Sequence, residues 1–227
     1  MIPWEFLGEA KVPGGGTLRL TKRNDEFSIR TDGYELMNSR AHGSEEVLAV
    51  EALKRLAGRS DCRILVGGLG MGFTLRATLD HAGENAAVTV AELVPEVVEW
   101  NRHHYGHLAG HPLKDERTSV FVGDVGEAIK KEAPWDAILL DVDNGPDGLT
   151  RSGNDSLYSK TGILSAKQNL RPGGILGVWS AHADPMFTKR LSHCGLAVEE
   201  VHVKARLKRG GMHTLWFAVK TTIEGIS

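Results

Sequence analysis

The chain has 227 residues, with 27 Lys and Arg against 29 Asp and Glu, a formal net charge of −2 and 41% hydrophobic residues. That length fits one domain with a small appendage and a substantial core, and the near balance of charge excludes a broad electrostatic attraction to nucleic acid or to an anionic membrane. No apolar run approaches a membrane span or a signal peptide, and two cysteines far apart, Cys62 and Cys194, argue against a disulfide framework and for a reducing, cytoplasmic setting.

Residues 17–39, TLRLTKRNDEFSIRTDGYELMNS, alternate apolar and polar side chains, with turn signals at Asn24-Asp25 and Asp32-Gly33. The alternation predicts a small antiparallel meander of about three strands, and residues 1–43 are expected to form an N-terminal β-appendage. GSEEVLAVEALKRLAG follows, with Ser44 as N-cap, acidic residues in the first turn, Val47, Leu48, Leu53 and Leu56 as the apolar stripe and Gly58 as the stop. From residue 62 strands and helices alternate. The strands are CRILVG, AVTVAEL, TSVFVG, WDAILLD and GGILGVWSA. The helices are FTLRATLDHA, PEVVEWNRHHYGHL, GEAIKKEA, SLYSKTGILSAKQNL and DPMFTKRLSHC. Two last strands, LAVEEVHVKA and TLWFAVK, are joined by the basic stretch RLKRGGMH. Repeated βα units with apolar strands predict a mostly parallel α/β sheet covered on both faces, closed at one edge by an antiparallel hairpin. Residues 44–227 are expected to form this Rossmann-like domain.

Ligands of such sheets bind beyond the carboxyl ends of the strands, where strand order reverses. Gly68, Gly70 and Gly72 alternate at the first of these ends, where a side chain would keep the backbone from a ligand. The dinucleotide fingerprint G-x-G-x-x-G would need glycine at Phe73, and the P-loop lysine is missing. Glu92, twenty positions after Gly72 at the end of the second strand, suits two ribose hydroxyls. Asp124, ending the third, suits an adenine amino group. Together they describe an adenosine site with no demand for phosphates, which an adenosyl sulfonium compound fits. Asp141 and Asp143 follow the next buried strand at the same edge. Short aspartates there also cap turns, but their position favours a part in the chemistry. NRHHYGHLAGH spaces His103 and His107 by one helical turn, yet no nearby acidic or cysteine pattern completes a metal set, and no metal is expected.

Residues 45–180 resemble the spermidine synthase (polyamine aminopropyltransferase) family, whose catalytic domain is of the class I methyltransferase type. Thr74-Leu75-Arg76 matches the end of the family's glycine loop, and AELVPEVVEWNRHHY is similar to its V-E-I-D-P-E-V-V segment. GDVGEAI, WDAILLDVD and LYSKTGILSAKQNLRPGGIL follow the family's later motifs. The resemblance implies a mostly parallel seven-stranded sheet with an antiparallel C-terminal hairpin. It implies transfer of an aminopropyl group from decarboxylated S-adenosylmethionine to a polyamine or related amine. Glu92 would bind the ribose and Asp124 the adenine side. Asp141 and Asp143 would orient and deprotonate the amine, with Asn144 and Tyr158 beside the substrate. A homodimer is implied too, with no metal, nucleic acid or membrane partner. The chain departs from the family in a shorter N-terminal β-domain and at three motif positions. Met71 stands where the glycine loop keeps an aspartate, Asn144 falls on the second aspartate of D-S-x-D-P, and Ser44-Glu45-Glu46 replaces Tyr-His-Glu. The alternatives are a small-molecule methyltransferase using intact S-adenosylmethionine and a non-catalytic nucleoside-binding relative.

Overall fold

The computed structural model describes residues 2–31, 33–56, 58–59, 61–142, 145–146, 155–204 and 211–221. A four-stranded antiparallel sheet comes first, in the order β1 (Glu5–Lys11), β2 (Thr17–Arg23), β3 (Glu26–Thr31) and β4 (Tyr34–Asn38). The sequence predicts about three strands here, and the addition is β1. Its alternation is broken at Gly8, where the register with β2 shifts and the backbone passes the Trp100 indole. Asn24 adopts φ 55° at the β2–β3 turn, a conformation asparagine tolerates.

Helix α1 (Gly43–Arg55) leads into the second sheet. In chain order the elements are β5 (Arg63–Gly67), α2 (Phe73–His81), β6 (Ala87–Glu92), α3 (Pro95–Trp100), β7 (Thr118–Val122), α4 (Val125–Lys131), β8 (Trp135–Leu140), α5 (Asp155–Tyr158), α6 (Lys160–Asn169), β9 (Leu170–Ser180), α7 (Pro185–His193), β10 (Ala197–Lys204) and β11 (Met212–Val219). The sheet order is β10-β11-β9-β8-β5-β6-β7. The β5–β6, β5–β8, β6–β7 and β8–β9 ladders are parallel, and β11 pairs antiparallel with both β9 and β10. This is the expected seven-stranded sheet with its antiparallel hairpin.

Side chains alternate between two cores, as the period of a strand requires. Ile64, Val66, Ala137, Leu139, Leu215 and Phe217 face α1 and α2. Leu65, Ile138, Leu140, Trp216 and Ala218 face α4, α6 and α7. A third cluster joins Leu20, Phe27 and Ile29 of the small sheet to Met71, Val97, Trp100 and Tyr105. The small sheet is thereby docked on the glycine loop and on α3.

Three local expectations change. Ser44 does not cap α1; His42 occupies that position, and no side chain caps it. The helix predicted over 156–170 is divided, because Ser159 leaves helical geometry to cap α6 by accepting from the Gly162 amide. The helix from Pro95 becomes a π-turn at 101–105 and then a 3-10 turn. His103 there pairs with Glu99, and His107 lies edge-on to Phe27. Cys62 and Cys194 are free and buried. No helix among the described residues is long and apolar enough to cross a membrane.

At the amino ends of the strands, Asp136 is 1% exposed and accepts from Arg59, Arg171 and the Arg63 amide at 2.6, 3.0 and 2.9 Å. Asp136→Ala is expected to cost roughly 2–3 kcal/mol in urea unfolding. That is less than for a wholly buried pair, because both guanidinium groups reach solvent.

Candidate active site

The chain starts the large sheet in its centre at β5, runs outward through β6 and β7, and crosses back to β8. The crevice expected of such a reversal therefore lies over the carboxyl ends of β5 and β8. The Asp141 amide donates to the Gly67 carbonyl at 2.9 Å, and the Gly68 amide donates to Ala91 at 2.8 Å. A Cβ on Gly68 would sit 2.2 Å from the Asp141 carbonyl oxygen. Gly68, Gly70 and Gly72 have φ of 90°, 49° and 90°. All three expected glycines thus occupy the left-handed region, where a Cβ is costly.

Glu92 holds this loop from below. Its carboxylate accepts from the Leu69 amide at 3.1 Å and from the Val94 amide at 3.0 Å. Burial pushes its carboxyl above the usual carboxylate range, and the backbone amides oppose that shift. Each oxygen accepts one of these bonds, and the Gly70 and Leu93 amides also face the carboxylate. The Tyr105 hydroxyl lies within hydrogen-bonding distance of the Gly70 and Val97 carbonyls, at 3.3 and 3.2 Å. Asp124 caps α4 by accepting from the Gly126 amide at 2.8 Å. It stands just after β7, one strand outward from Glu92.

On the other side of β5, Thr74 at the start of α2 donates its hydroxyl proton to the Asp141 carboxylate. Asp141 lines a cavity of about 80 Å³ with Glu45, Thr74, Trp179, Gly70, Met71 and Phe73, roofed by Leu36, Met37 and Asn38 of β4. Desolvation raises the Asp141 carboxyl to about 6. Glu45 rises to about 7, first from burial and then from the Asp141 charge. A larger hollow of about 380 Å³, lined by Arg59, Asp61, Asp136 and Arg171, lies at the opposite edge of the sheet, where the Asp136 ion pairs occupy its side chains.

Glu45 is the site residue to which the sequence reading assigned no role. Ser44 Oγ is 2.6 Å from its carboxylate, to which it donates. The same hydroxyl accepts from Trp179 Nε1 at 3.0 Å and lies 2.9 Å from His213 Nδ1. Ser44, expected as a helix cap, is fully buried and links α1 to β9 and β11 instead. A signal was available: Glu45 shares a helical face with Leu48, Ala49 and Ala52, all fully buried, and a carboxylate on an apolar stripe is out of place unless something holds it.

Met71 is 3% exposed and belongs to the cluster under the small sheet. Where the family resemblance leads one to expect an aspartate, this loop carries an apolar anchor. Tyr158 is 2% exposed in the core beside Phe187, and its hydroxyl donates to the Val142 carbonyl at 3.3 Å. It thus braces the residue that follows Asp141. Asp143 and Asn144 lie outside the described residues.

The spermidine synthase of Thermotoga maritima superposes with a TM-score of 0.75 over 98% of this chain and 74% of its own, at 17% identity. The chain has the fold of the spermidine synthases. That fold extends to the small sheet, since the match covers nearly the whole chain. An O-methyltransferase from Streptomyces achromogenes, in complex with S-adenosylmethionine, matches less closely, with a TM-score of 0.56 over 79% of this chain and 80% of its own, at 15% identity. In sequence, polyamine aminopropyltransferase 2 of Pseudomonas aeruginosa is 33% identical over 121 residues, 51% of this chain and 32% of that protein. The ribosomal RNA small subunit methyltransferase H of Xanthomonas campestris is 27% identical over 139 residues, 60% of this chain and 39% of its own length. The matches thus span 32% and 39% of these curated relatives' own lengths. No family model matches the chain.

The buried acids give stability a pH dependence. A carboxyl raised in the folded state binds its proton more tightly there than in the unfolded chain. Its contribution is fully present below about pH 4 and is lost as pH rises through about 6 to 7. Glu45→Gln, which cannot ionise, is expected to be more stable than the parent by about 1–3 kcal/mol at pH 8.5. That difference should shrink toward zero at pH 4.5, as read by urea unfolding at the two pH values.

Proposed function

We propose that the chain is a transferase that moves an alkyl group from an adenosyl sulfonium donor to a small amine. The preferred donor is decarboxylated S-adenosylmethionine and the transferred group aminopropyl. One observation carries this reading: four neighbouring strands, in the order β8-β5-β6-β7, end in Asp141, the Gly68–Gly72 turn, Glu92 and Asp124. Acids over β6 and β7 suit the ribose and adenine of a nucleoside. The turn lets a ligand lie against bare backbone. The desolvated carboxyl over β8 then faces the alkyl end of the donor and the incoming amine. The polyamine aminopropyltransferase relative and the spermidine synthase fold support the same chemistry.

In this reading the amine gives up a proton before its nitrogen attacks the carbon beside the sulfonium. The new N–C bond forms as the C–S bond breaks, and the electron pair returns to sulfur as a neutral thioether leaves. Asp141 is in place to bind and orient the ammonium, and its carboxyl near pH 6 suits it to share a proton at neutral pH. Thr74, donating to Asp141, fixes the carboxylate's direction. Asp143 would take the proton, Asn144 would border the amine, and Tyr158 would hold the loop through Val142. Aligning nucleophile and carbon supplies much of the rate in such transfers.

Methyl transfer from intact S-adenosylmethionine is the second reading. Met71 favours it, because the loop lacks an aspartate that would repel the donor's carboxylate. The buried Glu45 and Asp141 weigh against it for the same electrostatic reason.

The test is a product assay with putrescine and decarboxylated S-adenosylmethionine, backed by calorimetry with methylthioadenosine. Turnover is expected, with Asp141→Asn lowering kcat by about 10²-fold, the scale of a reactant no longer held in line. Methylated product with intact S-adenosylmethionine and none with the decarboxylated donor would establish the second reading. Binding of methylthioadenosine with no turnover on any amine would leave a nucleoside-binding relative.

A further inference from the structure

The carboxylate absent at Met71 has a counterpart elsewhere in the same cavity. Glu45 and Met71 both line the hollow beside Asp141, Glu45 from the first turn of α1 and Met71 from the loop below the small sheet. From the chemistry of this cavity we infer that Glu45 is the residue that reads the charge of the donor's tail, accepting an alkylammonium and rejecting an alkylammonium that also carries a carboxylate. The inference rests on the transferase reading above and adds a specificity residue to it.

Three observations support this role. The first is placement. With adenosine over β6 and β7, the strand order leaves the rest of the donor to lie over β5 and β8, where the Glu45 and Asp141 carboxyls face one cavity. The second is restraint. A solvated glutamate would sweep many rotamers, but this one is fixed by a buried serine that is itself held from β9 by the Trp179 indole and from β11 by His213. Holding one acid through a serine that two strands of the sheet brace is more than a surface glutamate needs. The third is electrostatics. The cavity walls are otherwise largely apolar, including Leu36, Met37, Leu69, Met71, Phe73 and Trp179. In such surroundings two acids attract a cation, and oppose a third carboxylate, far more strongly than in water. A zwitterionic tail therefore gains little where a purely cationic one gains much.

Ser44 and His213 are positioning residues in this scheme. Ser44 Oγ has one proton and two lone pairs. Trp179 takes one lone pair, so Glu45 and His213 share the remaining proton and lone pair. With Glu45 ionised, the hydroxyl proton points to Glu45, and His213 donates from Nδ1. The groups facing this acid are Asp141 after β8, Glu46 on α1 and, through Ser44, His213 on β11, which in turn faces His182.

The experiment compares Kd for decarboxylated and intact S-adenosylmethionine by calorimetry in the parent, Glu45→Gln and Glu45→Asp proteins. The parent is expected to prefer the decarboxylated compound at least 10-fold. Glu45→Gln should cut that preference at least 10-fold, chiefly by tightening the intact compound, while methylthioadenosine binds all three proteins equally. Glu45→Asp should restore part of the preference. The parent alone provides a second measurement that needs no variant: its preference should be larger at pH 8 than at pH 6, because the acid pair carries more negative charge at the higher value. A preference within threefold of the parent's in Glu45→Gln, or one independent of pH, would overturn the inference and leave the transferase reading standing. If the parent binds neither sulfonium compound nor methylthioadenosine, the transferase reading falls and this inference falls with it.

Discussion

The site depends on how closely two strand ends approach each other. Gly68 passes so near the Asp141 carbonyl that no side chain fits between them, and the Asp141 amide closes the contact onto Gly67. That contact joins β5 to β8 where the sheet reverses its order. It sets the tight, left-handed course of the glycine loop, which places Leu69 on the Glu92 carboxylate and brings Thr74 to Asp141. A larger residue at position 68 would separate the strands and disconnect the two acids from the loop.

Met71 links this contact to the small sheet. Its side chain is buried among Leu20, Phe27, Ile29 and Trp100, so the loop is anchored by apolar contact where the family resemblance leads one to expect a charge. Met37 of β4 lies over Gly70, with its sulfur 3.1 Å from where a Cβ would be. The small sheet is therefore a wall of the cavity as well as an appendage. In the proposed reading, acidity has moved from the loop to α1 while the loop has become part of a core. The chemistry near the cavity is retained, and the chain segment that supplies it has changed.

What could be read in the sequence is what depends on short spacing. Gly68, Gly70 and Gly72 stand out because backbone geometry selects glycine by position, and Glu92 stands out because strand and turn lengths bring it under that loop. The βα rhythm of apolar strands reveals the large sheet, since strands buried on both faces leave continuous apolar runs. Strand β1 was not legible, because Gly8 and its bulge break the alternation that marks a strand. The break at Ser159 was concealed by apolar periodicity running through it. Ser44 was misjudged for a clear reason: serine before acidic residues is the usual signature of a cap, and only tertiary contact with Trp179 and His213 overrides it. Glu45 is marked locally only by its place on an apolar helical face, and its partners come from segments distant in sequence.

The bond between Ser44 and His213 joins residues 169 positions apart. Contacts of that separation form late, because the entropy of closing so long a loop must be met before they return anything. The small sheet, by contrast, is made of neighbouring hairpins and can pair as soon as its forty residues are available. The roof of the cavity is thus paired through local hairpins, while the acid beneath it is held by contacts that need β11 in place between β9 and β10. The cavity's acid is thereby fixed only where α1, β9 and β11, drawn from opposite ends of the chain, have come together.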